Sequence, residues 1–519
     1  MNRARSWGIT SAITTLVLVL GGAVALGDLS VRDSRGAARG VDAHDHVHPQ
    51  VGSLRDLEPS MSAPAAGTML SGGELISHFE GGRNVTSPTG GGRIIYTGTL
   101  AVEPTIGIDK KSNIFYQGAI ANGLILPVVV VSRDGGLSWD KVTPVAHPHT
   151  QDPLVYVDTD TGRSFTADLT FPCTTVSHTD DVGQSWRTSQ ACGLVDHQNL
   201  SAGPPVASPT VGYPNIVYMC AIDMGDADAS FALSCLKSLD GGITWIRTGA
   251  PAFTADPTQD GGMYDVPGWC GGGSGHSFVD SKGILYVPKG WCGQPYLAIS
   301  KDEGATWERV QVAENGMPRG VSRTCAGTCR DLPFSTHETA VTVDMAGNIY
   351  YFWVATNRLP YLAISRDGGK SFSKPIMVGP LALTEAWGPT IDVGDVGKVA
   401  LGYVGSTNAP GGKSPDGTGE EYTDAVTWNG YVTTTTDALS QRPRFFTASV
   451  NHPSDPIMRG ECAVLRCGVQ FDFIDVVIGP DGRPWTSMVD GCPAPGDSCD
   501  IGPLGAGFVG TVTGGPKLR

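Results

Sequence analysis

Basic residues are scarce in this sequence. Its 519 residues include 36 Lys and Arg against 51 Asp and Glu, which gives a formal net charge of -15. Because the backbone of a nucleic acid requires a positively charged surface, this balance argues against a nucleic-acid partner. It also provides no long-range attraction for anionic substrates, so an anion site has to be built locally from individual arginines.

Cysteine is absent from the first 172 residues, and the 12 cysteines that follow fall in close pairs. In an oxidising compartment such pairs predict local disulfides. The predicted pairs are Cys173/Cys192, Cys220/Cys235, Cys270/Cys292, Cys325/Cys329, Cys462/Cys467 and Cys492/Cys499. The C-x-x-C spacing and an ordered Cys/His spacing are both missing, which disfavours zinc as the alternative at Cys325 and Cys329.

The N-terminus agrees with export. Arg3 and Arg5 precede an uncharged, largely apolar stretch over residues 9–26, with small residues near its end. This pattern predicts a signal peptide over residues 1–27. An uncleaved membrane anchor stays open as the alternative, because the apolar run approaches membrane-spanning length. In both cases we expect the rest of the chain to be secreted or otherwise outside the cytoplasm.

Amphipathic helical patterns are also few, whereas glycine (70) and proline (36) are abundant. Clusters of Gly, Pro, Asn and Asp separate short apolar runs, which is typical of strands joined by tight turns. Residues 28–91 have weak periodicity and many small residues, so they are predicted to form a flexible linker. A metal tether at its His44, His46 and His48 is less favoured than a solvated polar segment.

One polar, glycine-rich stretch ending in an aromatic residue recurs, and we call its copies the five repeated turns. They are SRDGGLSW (132–139), TDDVGQSW (179–186), SLDGGITW (238–245), SKDEGATW (300–307) and SRDGGKSF (365–372). The Asp side chain can accept hydrogen bonds from amides of its own turn, and the preceding Ser or Thr can add another. The second position after the Asp is a glycine that permits positive φ, and the aromatic ring is expected to pack between sheets. We therefore predict that these aspartates are scaffold rather than catalytic.

Each repeated turn joins the third and fourth strands of a unit. Seven such units are predicted from residue 92 onward, and the sixth contains a degenerate copy of the turn, TTTTDALS (433–440). Four-stranded units that cannot bury both faces alone pack around an axis, which predicts an all-β, seven-bladed β-propeller over residues 92–519. The last unit has only three clear strands, so the strand at 92–100 is expected to supply its fourth and close the ring. Six blades is the alternative.

The repeats resemble the Asp-box, or BNR, repeats of bacterial neuraminidases, and residues 92–519 resemble a propeller of the sialidase superfamily. The resemblance implies a glycan substrate, an Arg triad for a substrate carboxylate, an Asp acid/base and a Tyr nucleophile assisted by Glu. The F/Y-R-I-P string of the family has its nearest counterpart in GRIIY at 92–96, which lacks the proline.

In a propeller, the starts of the first strands share one face with the loops between second and third strands, opposite the repeated turns. We predict that the catalytic residues lie on that face: Glu103, Asp152, Glu338, Glu385 and Tyr264. Converging carboxylates raise one another's pKa and can divide acid and base work. Two alternatives stay open, since the same oxygens suit Ca²⁺ or can cap first-strand amides. In the seventh unit, Gln470 and Asp472 mark the corresponding start.

Basic and aromatic residues on the same face are predicted to bind the substrate. They are Arg330, Arg358, Arg459, Arg466, His197, His276 and Trp387. Guanidinium groups bind carboxylates and sulfates bidentately, and Trp387 is expected to stack on a sugar, with packing inside the fold as its alternative.

The sequence therefore predicts an exported, monomeric, sialidase-like propeller that acts on a glycan or glycoprotein. The expected activity is that of an exo-glycosidase that requires no cofactor, with Ca²⁺ as the open alternative. The competing hypothesis is a propeller that binds a glycan or a protein and catalyses nothing.

Overall fold

A computed structural model describes residues 63–121, 125–146, 149–150, 152–223, 232–254, 273–291, 294–313, 339–355, 357–409, 425–460, 473–492 and 505–519. Every regular element in these ranges is a β-strand, which confirms the all-β prediction for the described part of the chain. Within the same ranges, no helix has the length and apolar character needed to cross a membrane. The predicted signal peptide lies outside the described residues.

The strands follow one another through tight turns and short loops. In chain order they are β1 (Met69–His78), β2 (Val85–Ile108), β3 (Ile114–Ala121), β4 (Ile125–Ser132), β5 (Asp140–Lys141), β6 (Pro153–Val157), β7 (Ser164–Leu169), β8 (Cys173–Thr179), β9 (Arg187–Cys192), β10 (Leu194–Gly203), β11 (Ile216–Asp223), β12 (Ala232–Ser238), β13 (Ile246–Arg247), β14 (Phe278–Val279) and β15 (Leu285–Trp291). They continue with β16 (Gln294–Ser300), β17 (Glu308–Gln311), β18 (Thr339–Val343), β19 (Ile349–Val354), β20 (Pro360–Ser365), β21 (Ile376–Met377), β22 (Glu385–Val393), β23 (Val399–Ser406), β24 (Thr427–Thr435), β25 (Phe445–Ser449), β26 (Met458–Arg459), β27 (Asp475–Ile478), β28 (Pro484–Asp490) and β29 (Gly505–Thr513).

Successive strands pair antiparallel and form repeated units. Units 2 to 5 are separate four-stranded sheets, made of β6 to β9, β10 to β13, β14 to β17 and β18 to β21. Unit 1 combines the C-terminal half of β2 with β3, β4 and β5, and unit 6 consists of β22 to β25. Unit 7 combines β27, β28 and β29 with the N-terminal half of β2. Units 1, 6 and 7 belong to one 13-stranded sheet, because β2 is shared and β1 pairs with both β2 and β25.

The strand predicted at residues 92–100 pairs with the C-terminal strand, as expected. In the antiparallel pair of β2 and β29, Ile95 lies opposite Val509 and Tyr96 lies opposite Phe508. The register shifts between Tyr96 and Leu100, a bulge at which β2 leaves unit 7 and enters unit 1. One strand of 24 residues therefore joins the first unit to the last.

Residues Met69–His78 correct the predicted linker over 28–91, because they form strand β1. This strand lies between β2 and β25, with Ser77 opposite Phe446. Leu75 is 1% exposed and packs into the core of units 6 and 7. The boundary predicted at residue 92 is therefore too late. The sequence did not reveal β1 because several of its side chains face solvent, which leaves only a weak apolar alternation.

The hydrophobic cores lie between neighbouring units. One core combines Phe165 of unit 2 with Met219 of unit 3, and another combines Tyr286 of unit 4 with Tyr351 of unit 5. Strands between two cores are buried on both faces, as the six consecutive buried residues of β19 show. The first strand of each unit contacts the first strand of the next, and β27 of unit 7 contacts β2. Every first strand therefore has two first-strand neighbours.

The five repeated turns contain the predicted hydrogen bonds. In the first, Asp134 Oδ1 accepts bonds from Ser138 N and Ser132 Oγ, both at 2.9 Å, and Gly136 has a φ of 93°. The same bonds recur around Asp181, Asp240, Asp302 and Asp367. The hydrogen bonds from Ser138 hold the pKa of Asp134 below its usual value. At neutral pH the carboxylate is therefore ionised and keeps its turn closed.

The tryptophan that ends a repeated turn contacts the preceding unit. Trp186 Nε1 donates to Val142 O at 2.8 Å, which ties unit 2 to the chain after β5. Trp245 Nε1 donates to Ser189 Oγ at 3.0 Å, which ties unit 3 to the outer strand of unit 2. Trp245 also packs against the core that units 2 and 3 share, which confirms the predicted packing for that ring.

Two of the predicted disulfides are present, Cys173–Cys192 and Cys220–Cys235. Each joins residues that lie directly opposite each other on adjacent strands. Cys492 is also disulfide-bonded. The other predicted cysteines lie outside the described residues: Cys270, Cys292, Cys325, Cys329, Cys462, Cys467 and Cys499.

Leu75→Ala tests the place of β1 in the fold. We expect the free energy of unfolding to fall by about 2–5 kcal/mol, because a buried side chain is removed and a cavity is left. Leu70→Ala is the matched control on the same strand, since Leu70 is 41% exposed, and its effect is expected to stay within about 0.5 kcal/mol. Urea unfolding measures both variants, and equally small effects would contradict the position of β1.

Candidate functional site

The first strands begin side by side at one end of the units, and we call the residues at these starts the rim. The described rim residues are Glu103, Asp152, Asp196, His197, His276, Glu385, Phe473 and Asp475. A parallel bridge pairs His276 with Ala340, so the chain runs in the same direction at the starts of units 4 and 5. Arg358 lies at the same end, in the loop between β19 and β20. The repeated turns, between third and fourth strands, lie at the other end.

Left-handed backbone conformations are frequent at this end. Outside glycine, they occur at Glu103 (φ 51°), Asp196 (φ 68°), His197 (φ 50°) and Arg358 (φ 62°). Such conformations cost about 1–3 kcal/mol each and persist only where the surroundings fix them. Three of these four positions, Glu103, His197 and Arg358, are residues that the sequence predicted for the site, so backbone strain occurs at the end of the units where those residues were expected.

Asp152 links unit 2 to unit 3. Its Oδ2 accepts a hydrogen bond from His197 N at 3.1 Å, and its carbonyl oxygen accepts one from Gln198 Nε2 at 2.5 Å. Asp152 itself is buried. This geometry is the amide-capping role that the sequence left open beside catalysis, because the carboxylate satisfies a backbone N–H of the next unit.

Arg358 and Glu385 form an ion pair between units 5 and 6. Arg358 Nη1 lies 3.9 Å from Glu385 Oε2, and the two side chains are 28% and 1% exposed. The backbone joins the same two segments, since Ala386 N donates to Arg358 O at 2.7 Å. A buried carboxylate thus lies within ion-pairing distance of a partly exposed guanidinium at the rim, and guanidinium groups bind carboxylates and sulfates.

Unit 7 brings side chains against units 3 and 4, although neither of these units is adjacent to unit 7 along the chain. The rings of Phe473 and His197 have centroids 5.5 Å apart. His276 Nδ1 lies 3.9 Å from Asp475 Oδ1, and Thr390 of unit 6 donates to the same oxygen at 2.9 Å. Units 4, 6 and 7 therefore meet at Asp475.

Asp475 lies at the rim but is not among the residues that the sequence predicted for the site. Burial raises the pKa of its carboxyl group above the usual value, while the His276 imidazole and the Thr390 hydroxyl oppose that rise. A signal was present in DFIDVVIG, which carries two acids three residues apart. The prediction used the first of them, Asp472, which lies outside the described residues together with Gln470.

A fully buried lysine supports the position of His197. Lys289, on β15, donates from Nζ to Gly273 O at 2.8 Å. Gly273 in turn packs so closely that a Cβ at this position would lie 2.4 Å from His197 Cβ. Only glycine fits there, and the Lys289 bond keeps this close segment in place.

The remaining predicted residues have different environments. Trp387 is buried in the core of units 6 and 7, so its ring packs inside the fold and is not placed to stack on a sugar, which corrects that prediction. Glu103 is buried at the start of unit 1, and Arg459 is exposed on β26. Four predicted residues lie outside the described ranges: Tyr264, Arg330, Glu338 and Arg466.

Among the described residues, no group of three or more His, Cys, Asp or Glu side chains is arranged to hold a metal ion. Ca²⁺ at the rim therefore stays a prediction from the sequence.

No protein-family model matches this sequence, and no curated protein matches it. Among solved structures, a protein of unknown function from Dyadobacter fermentans aligns with 14% identity and a TM-score of 0.38, over 87% of this chain and 99% of that one. The GH93 α-L-arabinofuranosidase of Fusarium graminearum with arabinobiose aligns with 13% identity and a TM-score of 0.37, over 70% and 97%. The NanB sialidase of Streptococcus pneumoniae aligns with 12% identity and a TM-score of 0.38, over 79% and 68%. Likenesses of this size support no conclusion about fold or function.

Replacement of Asp152 separates capping from catalysis. Asp152→Ala is expected to lower the free energy of unfolding by about 1–3 kcal/mol, because His197 N loses its acceptor. Asp152→Asn keeps an acceptor oxygen and is expected to lose less. Urea unfolding and glycoside turnover are measured for both variants. If both unfold like the unmodified protein but lose turnover equally, the capping assignment is wrong.

Proposed function

We propose that this protein is an exported, sialidase-like glycoside hydrolase whose rim binds an acidic sugar. In this proposal the units close into a seven-bladed β-propeller that surrounds the site. The contacts of each first strand with the next, and of β27 with β2, support closure. Disulfides between adjacent strands support a location outside the cytoplasm, where such bonds persist.

The observation that carries the proposal is the Arg358–Glu385 pair. The guanidinium is partly exposed and lies beside a buried carboxylate, and a guanidinium can bind a further carboxylate through two parallel hydrogen bonds. Sialic and uronic acids present such a group. The resemblance of the repeated turns to those of sialidases points to the same class of substrate.

Glycan binding without catalysis is the second candidate function. The hydrogen bond from His197 N to Asp152 favours it, because a capping carboxylate is withdrawn from chemistry. Buried tyrosines favour it as well. Burial raises the pKa of Tyr116 and of Tyr351 well above the usual range, so neither phenol ionises readily as a nucleophile. The predicted nucleophile, Tyr264, lies outside the described residues.

Arg358→Lys tests the proposed recognition. The variant keeps the positive charge but loses the planar fork, so we expect KM for acidic glycosides to rise roughly 10- to 100-fold, with little change for neutral glycosides. Arg133→Lys is the matched control, because Arg133 lies in the first repeated turn at the opposite end and pairs with Asp140. The measurement is turnover of methylumbelliferyl sialosides, uronides and neutral glycosides by the purified protein.

Hydrolysis of an acidic glycoside that depends on Arg358 supports the proposed enzyme. Calorimetric binding of sialylated or uronic-acid oligosaccharides without turnover would instead support the second candidate. Neither turnover nor binding, or equal effects of the two arginine variants, would contradict acidic-sugar recognition at the rim.

A further inference from the structure

The two carboxylate oxygens of Asp475 have different surroundings. Oδ1 accepts hydrogen bonds from Thr390 Oγ1 at 2.9 Å and from Val476 N at 2.8 Å. Oδ2 has no hydrogen-bond partner among the described residues, and the side chain is 17% exposed. One oxygen therefore fixes the carboxyl group, while the other is left to carry a proton or to meet a ligand.

Two ionisable groups of the described residues act on Asp475. His276 approaches from unit 4, with Nδ1 3.9 Å from Asp475 Oδ1. Asp392 belongs to β22 of unit 6, and its charge and that of Asp475 repel each other. Asp392 differs in one respect, because both of its oxygens accept backbone N–H groups, from Val393 at 2.8 Å and from Ile478 at 2.7 Å. Of these two aspartates, Asp475 alone combines burial with a carboxylate oxygen that accepts no hydrogen bond from the described residues.

Burial of this kind prepares a carboxyl group to act as an acid. The pKa of Asp475 is raised because the charged form is poorly solvated, so the group keeps its proton at a higher pH than an exposed aspartate does. A glycoside hydrolase needs such a group beside the bond that it breaks, because the leaving oxygen must be protonated. The His276 imidazole opposes this rise in the pKa of Asp475, as do the hydrogen bonds from Thr390 and Val476.

We propose that Asp475 is the proton donor for glycoside cleavage at the rim and that His276 is a positioning residue that controls its protonation. This inference rests on the proposed hydrolase function. Asp475 Oδ2 transfers its proton to the glycosidic oxygen as the bond from that oxygen to the anomeric carbon breaks, and the electron pair of the bond stays on the oxygen. Water then supplies the hydroxyl group at the anomeric carbon and returns a proton to the Asp475 carboxylate.

Asp475→Asn tests the donor role through the leaving group. The variant has nearly the same shape but no acidic proton, so kcat/KM for an unactivated oligosaccharide is expected to fall roughly 100- to 10,000-fold. A dinitrophenyl glycoside of the same sugar leaves without protonation, and its turnover is expected to fall far less. Asp395→Asn removes one exposed acid from the opposite end of unit 6 and serves as the control with unchanged activity. Thermal unfolding checks that each variant is folded.

His276→Gln tests the control of protonation. Because the imidazole lowers the pKa of Asp475, its removal is expected to raise that pKa. The proton donor then stays protonated to a higher pH, so the alkaline limb of the pH–rate profile for the oligosaccharide moves to higher pH. A purely structural role of His276 would lower the rate at every pH without moving that limb.

The outcomes separate the inference from the function on which it rests. Suppose that the unmodified protein turns over glycosides. If Asp475→Asn is then fully active, or if its kcat/KM falls equally for the oligosaccharide and for the dinitrophenyl glycoside, Asp475 is not the proton donor, although the proposed hydrolase function stands. An unmoved alkaline limb in His276→Gln overturns the role of His276. If the unmodified protein hydrolyses no glycoside, the function and the inference fail together.

Discussion

One strand, β2, belongs to two units, and the geometry of the rim depends on it. Its N-terminal half completes unit 7 against β29, and its C-terminal half opens unit 1. The other units interact mainly with the units that follow and precede them, so β2 is the covalent continuity between first and last. With that join in place, Phe473 and Asp475 of unit 7 lie beside His197 and His276 of units 3 and 4. The strand β1 adds a second link, from unit 6 to β2.

The architecture was largely predictable because its information is local. Each repeated turn is closed by bonds between residues at most four positions apart, as at Ser132, Asp134 and Ser138. Glu303 shows where this locality ends. It replaces a glycine in the fourth turn, adopts a φ of 60°, and its Oε1 accepts the backbone N–H groups of residues 206–208 in the neighbouring unit. Nothing within the turn itself indicates partners almost a hundred residues away.

The site was predictable only in part, for the same reason. The sequence predicted that Asp152, His276, Arg358 and Glu385 lie at one end of the units, because that prediction requires only the positions of the strands along the chain. Their partners come from other units and have no mark in the local sequence: Asp475 for His276, and Gly273 with Lys289 for His197. Trp387 was wrongly predicted to be accessible because an aromatic residue near a strand start has the same sequence pattern whether its ring faces the ligand or the core.

An engineered cross-link between β2 and β29 tests the join of first and last units most directly. Arg93 lies opposite Thr511 in this antiparallel pair, and opposed residues of such a pair lie within the Cα separation that a disulfide spans. Arg93→Cys with Thr511→Cys is expected to form a disulfide in the folded protein, detected by mass spectrometry of proteolytic peptides. Arg93→Cys with Thr513→Cys, which is out of register, should form little. A cross-link that fails in the registered pair, or forms equally in both, would contradict the shared strand and the rim built on it.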